Sequence, residues 1–232
     1  MTHTLITGGS RGIGLAAAHT LADRGHHVTL VGRDAARAAV VAASLRSAGH
    51  DVDAFGCDVS DPDAVARLAD QVGPIDVLVL SAGVMSERMS KTLRTSPAEW
   101  RRVMSINLDG VMWPISAFVP GMVERRSGRV IAVSACLGRM SGPGTSGGLA
   151  PYRVSKAAVN ALVKNLAAET GEGKRGVLVD VMCPGHCRTD MGGADAPRSA
   201  EEGADTIAWL ATREGDDLTT GVLWEDRQIV PW

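Results

Sequence analysis

The chain has 232 residues, 45% hydrophobic and 22% charged, which is material for one sizeable α/β core rather than for a disordered or low-complexity protein. A formal charge of −2 excludes the basic footprint of a nucleic-acid binder or of a protein held on an anionic membrane. The four cysteines (57, 136, 183 and 187) lack C-x-x-C spacing, and there is neither a signal-like leader nor a bilayer-length apolar run, so a cytoplasmic protein with reduced thiols is expected.

Residues 3–7 predict a short buried strand. Gly8-Gly9-Ser10-Arg11-Gly12-Ile13-Gly14 follows, and a helical pattern runs over 15–24 to Gly25. Strand, glycine turn and helix in that order suit a dinucleotide: glycines let the backbone approach a pyrophosphate, and the helix start offers free amides and the positive dipole end. The second strand, 28–31, ends in Gly32-Arg33-Asp34. An acidic residue at this tip would bond the adenosine 2′-hydroxyl, whereas arginine suits a 2′-phosphate. Arg33 and Arg11 together favour NADP(H); Asp34 pulls the other way, and Arg33 could instead simply open the next helix.

Helices are expected over 35–48 and from Pro62 to about 71, with a strand over 52–57 between them. The apolar run 75–80 reads as a central parallel strand buried on both faces, ending at Ser81-Ala82-Gly83. Residues 84–97 read as a loop or short helix. A long helix from Pro97 to about 126 carries Asn107 near its middle, a poor interior helix former that is read either as a kink or as a tolerated polar residue. A fifth strand over 129–134 leads into a glycine- and serine-rich loop to 150, then a helix to 169. A sixth strand over 177–183, a flexible stretch to about 198, a helix over 200–212 and a seventh strand over 222–225 complete the chain. Alternating strands and helices without a repeat or linker indicate a single domain, 1–232, with a doubly wound parallel sheet of the Rossmann type, about seven strands and helices on both faces.

Tyr152 and Lys156 lie four apart on the helix after the loop, hence on one side of it. A phenol titrates near pH ~10, too high for proton exchange at neutrality, and a neighbouring ammonium is expected to lower that value. Alone, the pair is equally well read as a chance tyrosine and lysine on a helix.

Taken together, these residues resemble the short-chain dehydrogenase/reductase family over essentially the whole chain, most nearly its carbonyl-reductase-like branch. Thr7-Gly8-x-x-x-Gly12-Ile13-Gly14 is similar to the family's cofactor loop, in which Ser10 and Arg11 also fall, and Asp58-Val59 to its adenine-contacting turn. Ser81-Ala82-Gly83 is similar to its Asn-Ala-Gly segment, and Pro184, Gly185 and Thr189 to the segment over the nicotinamide. The resemblance implies hydride transfer between NADP(H) and a ketone, aldehyde or alcohol, with Tyr152 as general acid or base. Lys156 would lower its pKa and hold the nicotinamide ribose, and Asn107 would position a water. It also implies pairing of copies into a homodimer or homotetramer, for which Ala157, Ala158 and Ala161 offer a small-residue face.

Two positions depart from the pattern. The family's catalytic serine falls on Ala135, leaving Ser134, or a loop serine at 141 or 146, as the candidate replacement, and Ser81 stands for an asparagine. The departure at Ala135 keeps open a non-redox isomerase, dehydratase or cyclase using the same tyrosine and lysine, or a non-catalytic NADP(H)-binding regulator. His186 beside Cys183 and Cys187 has no fourth ligand in view, so no metal is expected. Met85, Met140, Leu149 and Met191 are candidates for an apolar pocket. The substrate stays open, since loops 84–97, 136–150 and 186–199 would shape its site.

Overall fold

The computed structural model describes residues 1–87, 91–214 and 219–232. Its strands are β1 (His3–Thr7), β2 (His27–Gly32), β3 (Val52–Gly56), β4 (Val77–Leu80), β5 (Gly128–Val133), β6 (Val177–Met182), β7 (Leu223–Glu225) and β8 (Gln228–Val230). They form one sheet in the order β3-β2-β1-β4-β5-β6-β7-β8, parallel throughout except for antiparallel β8. The order turns back between β1 and β4, the switch point at which an open α/β sheet presents its binding crevice.

Helices α1 (Gly12–Asp23), α2 (Ala35–Ser47) and α7 (Ala200–Thr212) cover one face of the sheet, and α3 (Pro62–Val72), α5 (Gly110–Arg125) and α6 (Ala150–Glu169) the other. Alternation along the strands sorts their side chains. Leu78 and Leu80 of β4 point to the α5 and α6 side, where they pack with Ile115, Met122, Val159 and Val163. Val77 and Val79 point to the opposite core, with Leu21, Leu45 and Ile207. No helix among the described residues is long and apolar enough to cross a membrane.

Local chemistry sets the helix starts. Asp34, Asp61, Ser96 and Ser199 cap α2, α3, α4 (Pro97–Met104) and α7 through their side chains, with a reciprocal capping box between Ser199 and Glu202 at α7.

The structure departs from the sequence reading in three places. First, the described residues form eight strands rather than about seven: Asp226 and Arg227, at φ 49° and 60°, turn the chain so that β8 pairs with β7. Two residues in the left-handed region match the tight hairpin turn that fits sheet twist, but Asp-Arg is not the Asn-Gly or Asp-Gly that signals it. Second, the long helix is split: α4 and α5 are separated by a π-helical turn, Ser105–Asp109, with Asn107 at its centre. Third, the stretch expected to be flexible before α7 is tied down. Arg188 N–H donates to Arg198 O (2.8 Å), and the Arg188 guanidinium donates to the carbonyls of Ala196 and Pro197 (both 2.8 Å).

Beneath β6 and β7, Asp180 and Arg213 form a buried ion pair at 2.7 Å, and Trp224 Nε1 donates to the same carboxylate at 3.0 Å. The guanidinium lies over the rings of Trp209 and Trp224. Removing one charge from a buried pair leaves the other uncompensated, so Asp180→Ala is expected to lower stability by about 3–5 kcal/mol in urea denaturation. A loss below ~1 kcal/mol would show that the pair does not hold this end of the sheet.

Candidate active site

Four loops meet at the C-terminal ends of the strands because glycines let them touch. Gly8 has φ 68°, and a Cβ there would lie 2.9 Å from the backbone of Ala82. A Cβ on Gly14 would stand 2.4 Å from Gly8 O, so this helix start admits no side chain. Gly12 faces Thr189, and Ser10 lies against Gly32 at the tip of β2. Thr7 Oγ1 accepts from the amides of Ser81 and Ala82, both at 3.2 Å, which ties β1 to the end of β4 without the family's asparagine.

This cradle fits a dinucleotide. Helix α1 begins at Gly12 with no side-chain cap, so its first amides keep their donors for an anion, in contrast to the capped α2, α3, α4 and α7. Ile13 packs on the core under α1. Asp58 accepts from Ser60 N (3.0 Å) and Ser60 Oγ (2.7 Å), bonds that hold its carboxyl below the usual range with a smaller contribution from the Arg33 charge, while Val59 is buried under Gly110. Asp34 is committed elsewhere: its carboxylate caps α2 by accepting from Arg37 N at 3.0 Å. Arg33 is exposed at the tip of β2. Arg11 reaches across the cleft to Asp190 at 3.3 Å, an exposed pair. A cavity of about 290 Å³ lies between Arg11, Gly12 and His19 on one side and Arg188, Thr189 and Glu201 on the other. Pro184 and Gly185 lead into this segment; Gly185 has φ 73°, and a Cβ there would meet the Arg198 side chain at 2.7 Å.

Deeper in, the π-helical turn aims Asn107 into the protein. The residue is fully buried; its Oδ1 accepts from Val84 N (2.8 Å), and its Nδ2 donates to Val84 O and Ser155 Oγ (both 3.0 Å). Ser155 Oγ donates in turn to Tyr152 O at 2.7 Å, and Tyr152 N donates to Ser86 Oγ at 2.8 Å. The amide of Asn107 is thus a brace between the segment after β4 and the start of α6. Gly83 leaves room for both neighbours: a Cβ there would lie 3.4 Å from Asn107 Oδ1 and 3.6 Å from Lys156 Nζ.

Tyr152 and Lys156 face the same space, with Nζ 5.9 Å from the centre of the phenol ring. Lys156 is buried and donates to Val133 O at 2.8 Å; burial pulls its pKa down to about 8. The expected lowering of the phenol pKa is overturned. Burial, then the thiols of Cys183 and Cys136, raise it, because a phenolate here would lose water and face further sulfur charge. Among the described residues nothing bonds the Tyr152 hydroxyl, yet it is not sealed from solvent.

Ser134 does not meet its expectation. It is buried, and its Oγ donates to Lys156 O at 3.3 Å, so the hydroxyl is spent on the backbone of α6. The loop serines do not take over: Ser141 Oγ donates to Trp232 O, and Ser146 is exposed. Met140 and Met191 are exposed and build no apolar pocket. Residues 88–90 of the loop 84–97 lie outside the described residues; what precedes them is clamped by buried Glu99, which accepts from Glu87 N (2.8 Å) and Arg102 Nε (2.7 Å), while Arg102 Nη2 donates to Met85 O (2.9 Å). A cavity of about 630 Å³ separates Lys91–Arg94 from Gly147 and Gly148. His186 Nε2 meets Gly192 O at 2.8 Å, and the described residues contain no cluster of three metal-ligating side chains.

Ser86, Ser155 and the Glu99–Arg102 clamp were not singled out from sequence. Only Ser155, one turn from Tyr152 and beside Lys156, carried a positional hint.

The model of the short chain dehydrogenase family matches residues 2–200. The chain is 32% identical over 228 residues to glycine betaine reductase ATRR of Emericella nidulans, covering 97% of this chain but only 17% of that much longer protein. It is 31% identical over 234 residues to the 3-oxoacyl-acyl-carrier-protein reductase FabG of Escherichia coli, covering 93% of this chain and 91% of that one. A crystal structure of a 3-oxoacyl-acyl-carrier-protein reductase from Brucella melitensis with bound NAD superposes with a TM-score of 0.84 at 31% identity, over 96% of this chain and 88% of the other.

The depressed lysine gives a pH signature. Between about pH 8 and 10.5 the unfolded chain keeps a proton on Lys156 that the folded chain has released, so stability rises with pH through that window as the cost of burying the charge disappears. Lys156→Met removes this dependence. The difference in unfolding free energy between variant and parent is expected to shift against the variant by roughly 3 kcal/mol across the window. A difference independent of pH would show that the ammonium is not desolvated.

Proposed function

The chain belongs to the short-chain dehydrogenase family of oxidoreductases, and from that premise we propose that it is an NADP(H)-dependent enzyme interconverting a ketone or aldehyde and its alcohol within one domain, 1–232. The observation that carries this reading is the unpartnered, solvent-reachable Tyr152 hydroxyl, set beside buried Lys156 at the inner end of the glycine-lined cleft.

The cofactor, when bound, supplies the hydride for the carbonyl carbon. Its pyrophosphate would lie on the glycine loop from Gly8 to Gly14, its adenine by Asp58 and Val59, and its nicotinamide end by Ser81, Ala82, Gly83, Pro184, Gly185 and Thr189. Arg33 and Arg11 would take the 2′-phosphate. This assignment is supported by Asp34 being held in the α2 cap and therefore not offered to a 2′-hydroxyl. Arg11 would exchange Asp190 for the phosphate.

In the direction of reduction, Tyr152 donates its proton to the carbonyl oxygen. Burial keeps the phenol protonated at the start of each cycle but makes it a weaker acid, so this transfer requires the Lys156 ammonium, 5.9 Å from the ring centre, to stabilise the phenolate as the proton leaves. Lys156, at about 8, remains largely charged at neutral pH and can reprotonate the phenolate. Asn107, with its amide fully engaged, acts by holding Val84 and Ser155 rather than by touching substrate. Copies of the chain would pair through α6, where Val154 and Ala161 are exposed.

Ala135 favours a second reading, proton transfer without net redox change, because a carbonyl polarised by Tyr152 alone lacks one donor. In other sites a missing oxyanion donor costs about 10²–10³ in rate. A panel of carbonyls and alcohols with NADPH and NADH decides between the two. Tyr152→Phe should cost about 10²–10⁴ in kcat while NADPH still binds. Ala135→Ser should raise kcat for ketone reduction; a substrate converted with no change in NADPH absorbance would select the second reading. Arg33→Ala should raise KM for NADPH about 10- to 100-fold, the loss of one charge-assisted contact, and leave KM for NADH nearly unchanged. An equal effect on both cofactors would remove the 2′-phosphate assignment.

A further inference from the structure

Two thiols near Tyr152 have no part in this chemistry. Cys183 directly follows β6 and is almost fully buried; its Sγ lies 3.6 Å from Glu225 Oε1 on β7 and accepts from Gly185 N at 3.4 Å. Cys136 opens a single 3₁₀ turn, Cys136–Gly138, after β5, and is only half-buried. The two strands run parallel in register, Val133 opposite Met182, and Ser134 N donates to Met182 O at 2.8 Å. The chain therefore leaves β5 and β6 side by side, with Cys183 one residue past Met182 and Cys136 three past Val133, and both side chains pack in the same apolar cluster. Both are reduced, and both lie close enough to act on the Tyr152 hydroxyl.

We propose that Cys136 and Cys183 form an oxidisable dithiol, a modification site at which a hydroperoxide joins the two sulfurs beside Tyr152. The first step is attack of the Cys136 thiolate on the peroxide. A sulfur–oxygen bond forms, the O–O bond breaks, hydroxide (or alkoxide) leaves, and Cys136 becomes a sulfenic acid. In the second step the Cys183 sulfur attacks Cys136. The S–S bond forms, the S–O bond breaks, and the departing hydroxide leaves as water with the thiol proton. Two thiols lose two electrons in total, and one peroxide is reduced to two waters, or to water and an alcohol.

The surroundings divide these roles. Cys136 is the more accessible thiol of the two, and the neighbouring Cys183 thiol and the Arg139 charge pull its pKa down, which suits it to meet the oxidant. Cys183 is sheltered and stays protonated; as it attacks, Glu225, 3.6 Å away, takes its proton and passes it to the departing hydroxide. Arg139, paired with Glu225 at 3.1 Å, holds that carboxylate in place. The other thiols are poorly placed to compete. Cys187 Sγ donates to Pro184 O at 3.1 Å and is packed against Gly203, and Cys57 is buried at the far end of β3.

The test is independent of the substrate, so it can fail while the oxidoreductase reading stands, or the reverse. The reduced full-length protein is exposed to hydrogen peroxide, then alkylated under denaturing conditions and weighed. The expected result is that two of the four thiols become unavailable, a peptide pair linked through Cys136 and Cys183 appears, and dithiothreitol restores all thiols. In Cys183→Ser, peroxide should leave a dimedone-trappable sulfenic acid on Cys136 and no link; in Cys136→Ser, Cys183 should stay a free thiol over the same exposure. Four free thiols in the treated parent would overturn the proposal, as would a link joining other cysteines. So would Cys136 oxidised to the sulfinic acid while Cys183 is still free.

Discussion

A single buried amide holds the centre of the molecule together. Asn107 sits in a helix at a place where burial removes water, and each of its polar atoms would cost about 1–3 kcal/mol if left unpaired. The π-helical turn resolves this by rotating the side chain out of the helical stack toward Val84 and Ser155. Once those bonds are made, the segment leaving β4 and the first turn of α6 have no freedom to move independently. Gly83 must then lack a side chain, Lys156 Nζ fills the space beside it, and the lysine finds its acceptor at the end of β5. Four elements are fixed by one amide and one ammonium.

Burial and chemistry pull on the same two groups, and the balance explains the arrangement. Desolvation keeps the phenol protonated and weakens the hold of Lys156 on its own proton. A site designed only to make phenolate would expose the tyrosine or bring the ammonium into direct contact with its oxygen. Here the ammonium is spent on Val133 O and acts on the ring from 5.9 Å. The proposed proton transfer thus starts from a well-defined acid, and the cost falls on the lysine, whose charge is held in a place that disfavours it.

What could be read from sequence was what covalent spacing alone determines. The glycine loop between strand and helix, the i to i+4 spacing of Tyr152 and Lys156, and the buried run at β4 each depend only on neighbours in the chain. Asn107 was legible as a conflict, a poor helix former inside a strong helical pattern, and the conflict marked the π turn. Other features depended on register and could not be read. Whether Ser134 faces substrate or backbone is settled by how the end of β5 meets α6, and the meeting of Cys136 with Cys183 requires β5 and β6 to be aligned. β8 leaves no signal in the sequence because three residues carry too little pattern, and its Asp-Arg turn uses left-handed conformations that neither residue advertises.

The same distinction separates the two ends of the cleft. At the glycine-lined end, contacts are made largely by backbone at glycines, so the arrangement follows from a few residues. On the other side, order comes from long polar side chains reaching to carbonyls and amides. Arg153 donates to Gly144 and Gly148, Glu99 and Arg102 hold residues 85 and 87, and Arg139 pairs with Glu225. Clamps of this kind tolerate changes in the apolar residues between them, because the loop is held by its backbone. Under the proposed reading, selectivity would follow from which backbone segments are pinned and where, since Met140 and Met191 are exposed. Under the proposed reading, Ala135 changes how the reacting oxygen would be polarised and leaves these clamps as they are.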